Sequence, residues 1–244
     1  MVFLHTGLFW MHITAGAIAL ILFWVPLFTQ KGKLNHVRYG HYFKTCMYIV
    51  AVAGFLMAAL VIYDPLAIKY EYANRENAQD IAAYLRVFWG FLGLLAILTF
   101  VTTRHGIKVL EVKDDRSSLK AINYLIAPVF LFIGGVIYFY FGISKSFPLY
   151  TVFGVISILL AINVLRYCLK KQVAKRSWIL EHIGSLLGSG IGAYTAFLTF
   201  GSRRLLDLGE YQLVVWIAPG VIGSIASYIL CKKYKGLFRV QVAT

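Results

Sequence analysis

The sequence predicts an all-α fold: a polytopic transmembrane bundle of seven helices, N-terminus outside and C-terminus cytoplasmic. Three observations carry that reading. Hydrophobic residues fill 60% of the 244 positions and charged residues only 14%, against about 25% charged in an ordinary soluble domain. The apolar residues gather in runs of about 20, the length of helix that crosses a bilayer core. The net charge of +14 sits in short connections between those runs, as the positive-inside rule expects. A basic groove for nucleic acid would be distributed differently, so the expected partner is the lipid bilayer and not nucleic acid.

The first run, Phe3 to Phe28, has no basic segment before it and no small-residue cleavage site, so it reads as a retained helix. It carries His5 and, two turns deeper, His12, followed by Ala15, Gly16 and Ala19. A basic connection holding His36 leads to the second run, Tyr42 to Tyr63, which His41 opens. The outer loop Asp64 to Ile81 is acidic and reads as a solvated cap. The third run, Ala82 to Thr103, starts near a snorkelling Arg86 and ends just before His105. The fourth and fifth, Ala121 to Phe141 and Leu149 to Leu169, are almost wholly apolar. In the sixth, Trp178 to Phe200, Gly184, Gly188, Gly192 and Ala196 recur every fourth residue beside Ser185, Ser189 and Ala193. Such a stripe predicts close backbone packing between membrane helices; the alternative is a flat wall for a porphyrin or quinone ring. The seventh run is Tyr211 to Cys231. Pro26, Pro128 and Pro219 predict local kinks. Connections are short and free of low-complexity sequence, so residues 1–244 are expected to form a single seven-helix domain.

Orientation follows from the cations. Eighteen of the 24 Lys and Arg fall on one face: in the first connection, the third (Arg104 to Lys120), the fifth (Arg166 to Arg176) and the tail. Lys69, Arg75, Arg86, Lys145, Arg203 and Arg204 make up the other face. Cys46, Cys168 and Cys231 are scattered singly, so they predict apolar packing and no disulfide framework.

Ionisable groups at membrane depth are functional candidates by default. His5 and His12 share one helix and cannot bracket a haem between them, which disfavours a cross-membrane electron wire. His41, His105 and His182 come from three helices at similar depth on the inner side, with Glu181 beside His182. Two facing imidazoles would suit a b-type haem. Three with a nearby carboxylate meet the count for Zn, or for Cu or Fe, with Cys46 as a soft ligand for copper. The cofactor-binding candidates are therefore His41, His105, His182, Glu181 and His12, and the metal candidates His41, His105 and His182. No metal-binding, nucleotide-binding or nucleophile-elbow motif is present.

The pattern His12-x-x-x-Gly16, the basic stretch His36, Arg38, Gly40, and His182 with small residues and Thr195-Ala196-Phe197 resembles a family of uncharacterised bacterial multi-helix membrane proteins. It departs from that family at Val37, where arginine is expected directly after the histidine. The resemblance implies a multi-pass protein of the bacterial inner (plasma) membrane and supplies no reaction. Three functions stay open: metal or b-type haem binding near the cytoplasmic face for redox or cofactor-handling chemistry, with a membrane redox partner or homo-oligomer; a non-catalytic scaffold or small-solute carrier whose histidines act as polar glue or proton relay; and a zinc-dependent intramembrane hydrolase.

Overall fold

In lipid every backbone N–H and C=O must be satisfied within the chain, which long helices do. The structure, a computed structural model, describes residues 1–201 and 211–237. Its helices are α1 Val2–Phe28, α2 Leu34–Tyr63, α3 Pro65–Ile68, α4 Ala78–Val112, α5 Ile122–Ser144, α6 Pro148–Leu169, α7 Trp178–Ala196 and α8 Gln212–Leu237. A π-helical turn, Phe197–Gly201, follows α7.

Among the described residues, six helices are long and apolar enough to cross a membrane: α1, α2, α4, α5, α6 and the stretch Val214–Leu237 of α8. They expose large apolar side chains, among them Phe3, Ile21, Ile122 and Ile222. A soluble surface does not tolerate so much apolar area, whereas lipid requires it. The chain is thus a multi-pass membrane protein. The seventh expected crossing, α7, is not among the six, because Glu181, His182 and its glycines and serines dilute the hydropathy of 19 residues.

Two helices outrun their apolar stretches. The expected second run began at Tyr42, but α2 begins at Leu34, so His36 lies on a helix and not in a loop. The third was expected to end at Thr103, but α4 continues to Val112. Hydropathy marks where a helix meets lipid, not where its hydrogen bonding stops. Arg203, Arg204 and Arg239 of the charge tally lie outside the described residues.

The chain divides into two compact units, Met1–Phe100 and Val101–Thr244, and the division falls within α4. In the first unit α1 packs along α2. Their joint is closed by Lys31 Nζ, which donates to the carbonyls of Pro26 (2.6 Å) and Leu27 (2.8 Å) at the end of α1. These are the carbonyls a helix end leaves without partners. His36 Nδ1–H donates to Pro26 O as well, at 3.1 Å. The loop read as a solvated cap is partly packed: Asp64 caps α3 through the Ala67 N–H (3.0 Å), and Ile68 is buried against Val61 and Leu85. Arg86 Nε donates to Ile62 O at 3.2 Å near the end of α2.

In the second unit α5 packs on α6 and α7 on α8. The first pair meets through glycine. A Cβ at Gly154 would lie 2.6 Å from Phe139 N, and one at Gly135 would lie 3.0 Å from Ile158 N. The α7 stripe behaves otherwise. A Cβ at Gly184 would meet nothing within 4 Å, and one at Gly188 only Thr102 Cγ2 at 3.8 Å. The sequence predicts close packing at the α7 glycines. The structure places it at Gly135, Gly142 and Gly154, and leaves Gly184 and Gly188 on the wall of a cavity.

Candidate functional site

The site is built from the C-terminal part of α4, the start of α5, the end of α6 and the first half of α7, all in the second unit. On α4, Val101, His105 and Val109 are buried at four-residue spacing, which sets them on one face. His105 is the polar member of that stripe and only 1% exposed. Burial of an imidazole without partners is costly, and here both ring nitrogens have one. Nε2–H donates to Glu181 Oε2 at 3.2 Å, and Nδ1 pairs with the Tyr124 hydroxyl at 2.9 Å. An ionised carboxylate only accepts, so the proton belongs on Nε2, and in neutral imidazole Nδ1 then accepts from the phenol O–H. The result is a continuous chain from Tyr124 on α5 through His105 on α4 to Glu181 on α7.

The surroundings brace that chain. The Tyr167 ring meets the His105 ring edge-on, with centroids 5.5 Å apart. The Arg104 guanidinium lies 4.6 Å from the Tyr124 ring centroid and donates to Asn123 O at 3.3 Å, near the start of α5. Arg116, from the α4–α5 connection, donates to the carbonyls of Tyr167, Lys170 (2.8 Å) and Lys171 (3.4 Å) around the end of α6. It also lies over the Tyr167 ring. From the same connection the Asp114 carboxylate accepts the Arg176 N–H at 3.0 Å, tying down the α6–α7 connection. Its neighbour Asp115 is fully exposed and accepts the Ser117 N–H (3.1 Å), which holds its carboxyl below the usual range.

Glu181 is 33% exposed, and its exposed side lines a cavity of about 810 Å³ between α6 and α7. Tyr167 and Ser177 line the same cavity, and so do Arg166, Lys170 and Lys235. The Tyr167 hydroxyl and Ser177 Oγ are buried beside each other.

The histidines singled out by sequence are distributed differently from the expectation. His105 and Glu181 are brought into direct contact. His182 points elsewhere: its Nδ1–H donates to Gly106 O at 2.8 Å, joining α7 to α4. His12 does the same in the first unit, donating from Nδ1 to Val50 O at 2.9 Å. His41, also in the first unit, is exposed, and its carbonyl accepts from Thr45 Oγ1 (3.0 Å). His5 stacks edge-on against Trp89 at 5.3 Å. No group of three His, Cys, Asp or Glu side chains able to hold a metal occurs among the described residues. Cys168 is buried, Cys46 and Cys231 are half-buried, and all three are free thiols.

No family model, curated protein or solved structure matches this chain. The site must therefore be read from its own chemistry. Sequence reasoning missed Tyr124, Tyr167 and Arg116. The four-residue spacing of Val101, His105 and Val109 was a signal that His105 faces inward. Nothing local marked the two tyrosines among the chain's 16.

Proposed function

We propose that this multi-pass membrane protein is a small-solute carrier or binding protein that exchanges a proton with its solute through Glu181 and His105. The carrying observation is the hydrogen-bonded chain Tyr124–His105–Glu181, buried at His105 and open to a cavity at Glu181. A proton taken up at the Tyr124 hydroxyl can pass along the chain, the Tyr124 proton moving to Nδ1 and the Nε2 proton to Glu181. The chain is then reversed, with Nδ1–H donating to Tyr124 and protonated Glu181 donating to Nε2 until it releases its proton to the cavity or the solute. Two polarities of one chain give a relay its two states.

The α7 helix serves as the seventh crossing: 19 residues at a rise of about 1.5 Å span roughly 28 Å, close to the hydrocarbon thickness of about 30 Å. With that crossing the cation asymmetry sets the cavity mouth on the cytoplasmic side of a bacterial inner membrane.

The metal or b-type haem reading, through His41, His105 and His182, draws less support. Both nitrogens of His105 are engaged, and Nδ1 of His182 is held by a carbonyl. A zinc hydrolase needs the same ligands and loses support with it.

The test is proton flux in liposomes loaded with a pH-sensitive dye. His105→Gln and Glu181→Gln should each slow flux by about 100-fold, the scale of a lost acid–base group, while remaining folded. Wild-type flux retained in His105→Gln sinks the relay. A Soret band or a stoichiometric transition metal in the purified protein would favour the cofactor reading instead.

A further inference from the structure

The α6–α7 cavity has a shape and a charge distribution that the relay does not use. At its basic end stand Arg166 from α6, Lys170 just past its end and Lys235 from α8, against one carboxylate, Glu181, which is already paired with His105. The Tyr167 and Ser177 hydroxyls lie beside each other there, and Tyr167 is only 7% exposed. Ten positions before Arg166 along α6 the lining is Ile156, followed by Leu159 and Leu160. That is about 15 Å of apolar wall running away from the cations. The facing wall is the glycine stripe of α7, where Gly184 and Gly188 touch almost nothing. The side chains missing there leave room for something other than a neighbouring helix.

We propose that this cavity binds a single-chain anionic amphiphile, with a phosphate or carboxylate head at Arg166, Lys170 and Lys235 and its tail along the α7 glycines. The volume of about 810 Å³ falls within the 300–1,000 Å³ usual for small-molecule sites. Basic pockets between membrane helices suit anionic head groups. The inference goes beyond the relay and does not depend on it.

The test uses the full chain in an uncharged maltoside detergent, titrated with dodecyl phosphate, with dodecyltrimethylammonium and with inorganic phosphate. Dodecyl phosphate should bind saturably, one per chain, and about tenfold tighter than the cationic surfactant. Inorganic phosphate should not displace it. Gly188→Leu and Gly184→Leu should each weaken binding by about tenfold or more without lowering the unfolding temperature, because their new side chains enter open space. Occupancy can also be read without an enlarged residue: dodecyl phosphate, but not inorganic phosphate, should shield a Ser185→Cys thiol from a maleimide. Equal affinity for both surfactants, or undiminished binding and no shielding in these variants, overturns the proposal. His105→Gln should bind dodecyl phosphate like the wild type, so a failed relay and a failed amphiphile site give different results.

Discussion

His12 and His182 solve one problem in the same way. Each imidazole donates from Nδ1 to a carbonyl of a neighbouring helix, Val50 O or Gly106 O. A glycine makes room for the first: a Cβ at Gly54 would lie 3.3 Å from His12 Cε1. Exchange of the ring for an apolar side chain removes one inter-helix hydrogen bond, worth about 0.5–2 kcal/mol in a membrane protein. His12→Leu should therefore lower the unfolding temperature in detergent by a few degrees. Gly54→Val should cost more, about 1–3 kcal/mol by overpacking, and should be partly rescued by adding His12→Ala. Absence of that rescue would show that His12 does not occupy the space above Gly54. The sequence identified both residues as polar groups at membrane depth. It could not separate them from His105, because a carbonyl acceptor on another helix leaves no local trace, whereas the Val101–His105–Val109 spacing does.

At the scale of elements, glycine has two opposite roles in the second unit. In α5 and α6 it brings backbones together, and in α7 it keeps a wall bare. Gly154→Ala would drive a methyl to 2.6 Å from the Phe139 backbone nitrogen and should destabilise the α5–α6 pair by about 1–3 kcal/mol or more. Gly184→Ala meets nothing within 4 Å and should stabilise its helix by up to about 1 kcal/mol, the ordinary helical preference for alanine. Thermal unfolding of the two variants checks the contrast, and similar losses in both would contradict it. From the sequence the regular four-residue stripe on α7 looked like the tight contact, and the irregular glycines of α5 and α6 drew no attention. Periodicity reveals which residues share a face. It does not reveal what that face meets.

For the whole molecule, the long apolar runs were legible because lipid imposes a length and a composition on anything that crosses it. The helix ends were not, since α2 and α4 carry charged turns beyond their apolar parts. Neither was the standing of α7, which mixes a hydrogen-bonded carboxylate with a glycine face. The topology is open to direct measurement. A cysteine at Glu71 should react with a membrane-impermeant maleimide added outside intact cells, and one at Lys113 should react only after permeabilisation. The reverse pattern would invert the assignment and place the cavity mouth on the outside.

Arg116 has a history as well as a position. In the proposed topology, while α6 has yet to be made, Arg116 is one more cation that would hold its loop on the cytoplasmic side of the membrane. Once α6 is in place the same guanidinium is withdrawn to 7% exposure among the carbonyls of Tyr167, Lys170 and Lys171. In that topology one residue would first direct the passage of the chain and then seal the end of a helix made after it, so substitution by lysine would preserve the first task and forfeit the forked geometry of the second.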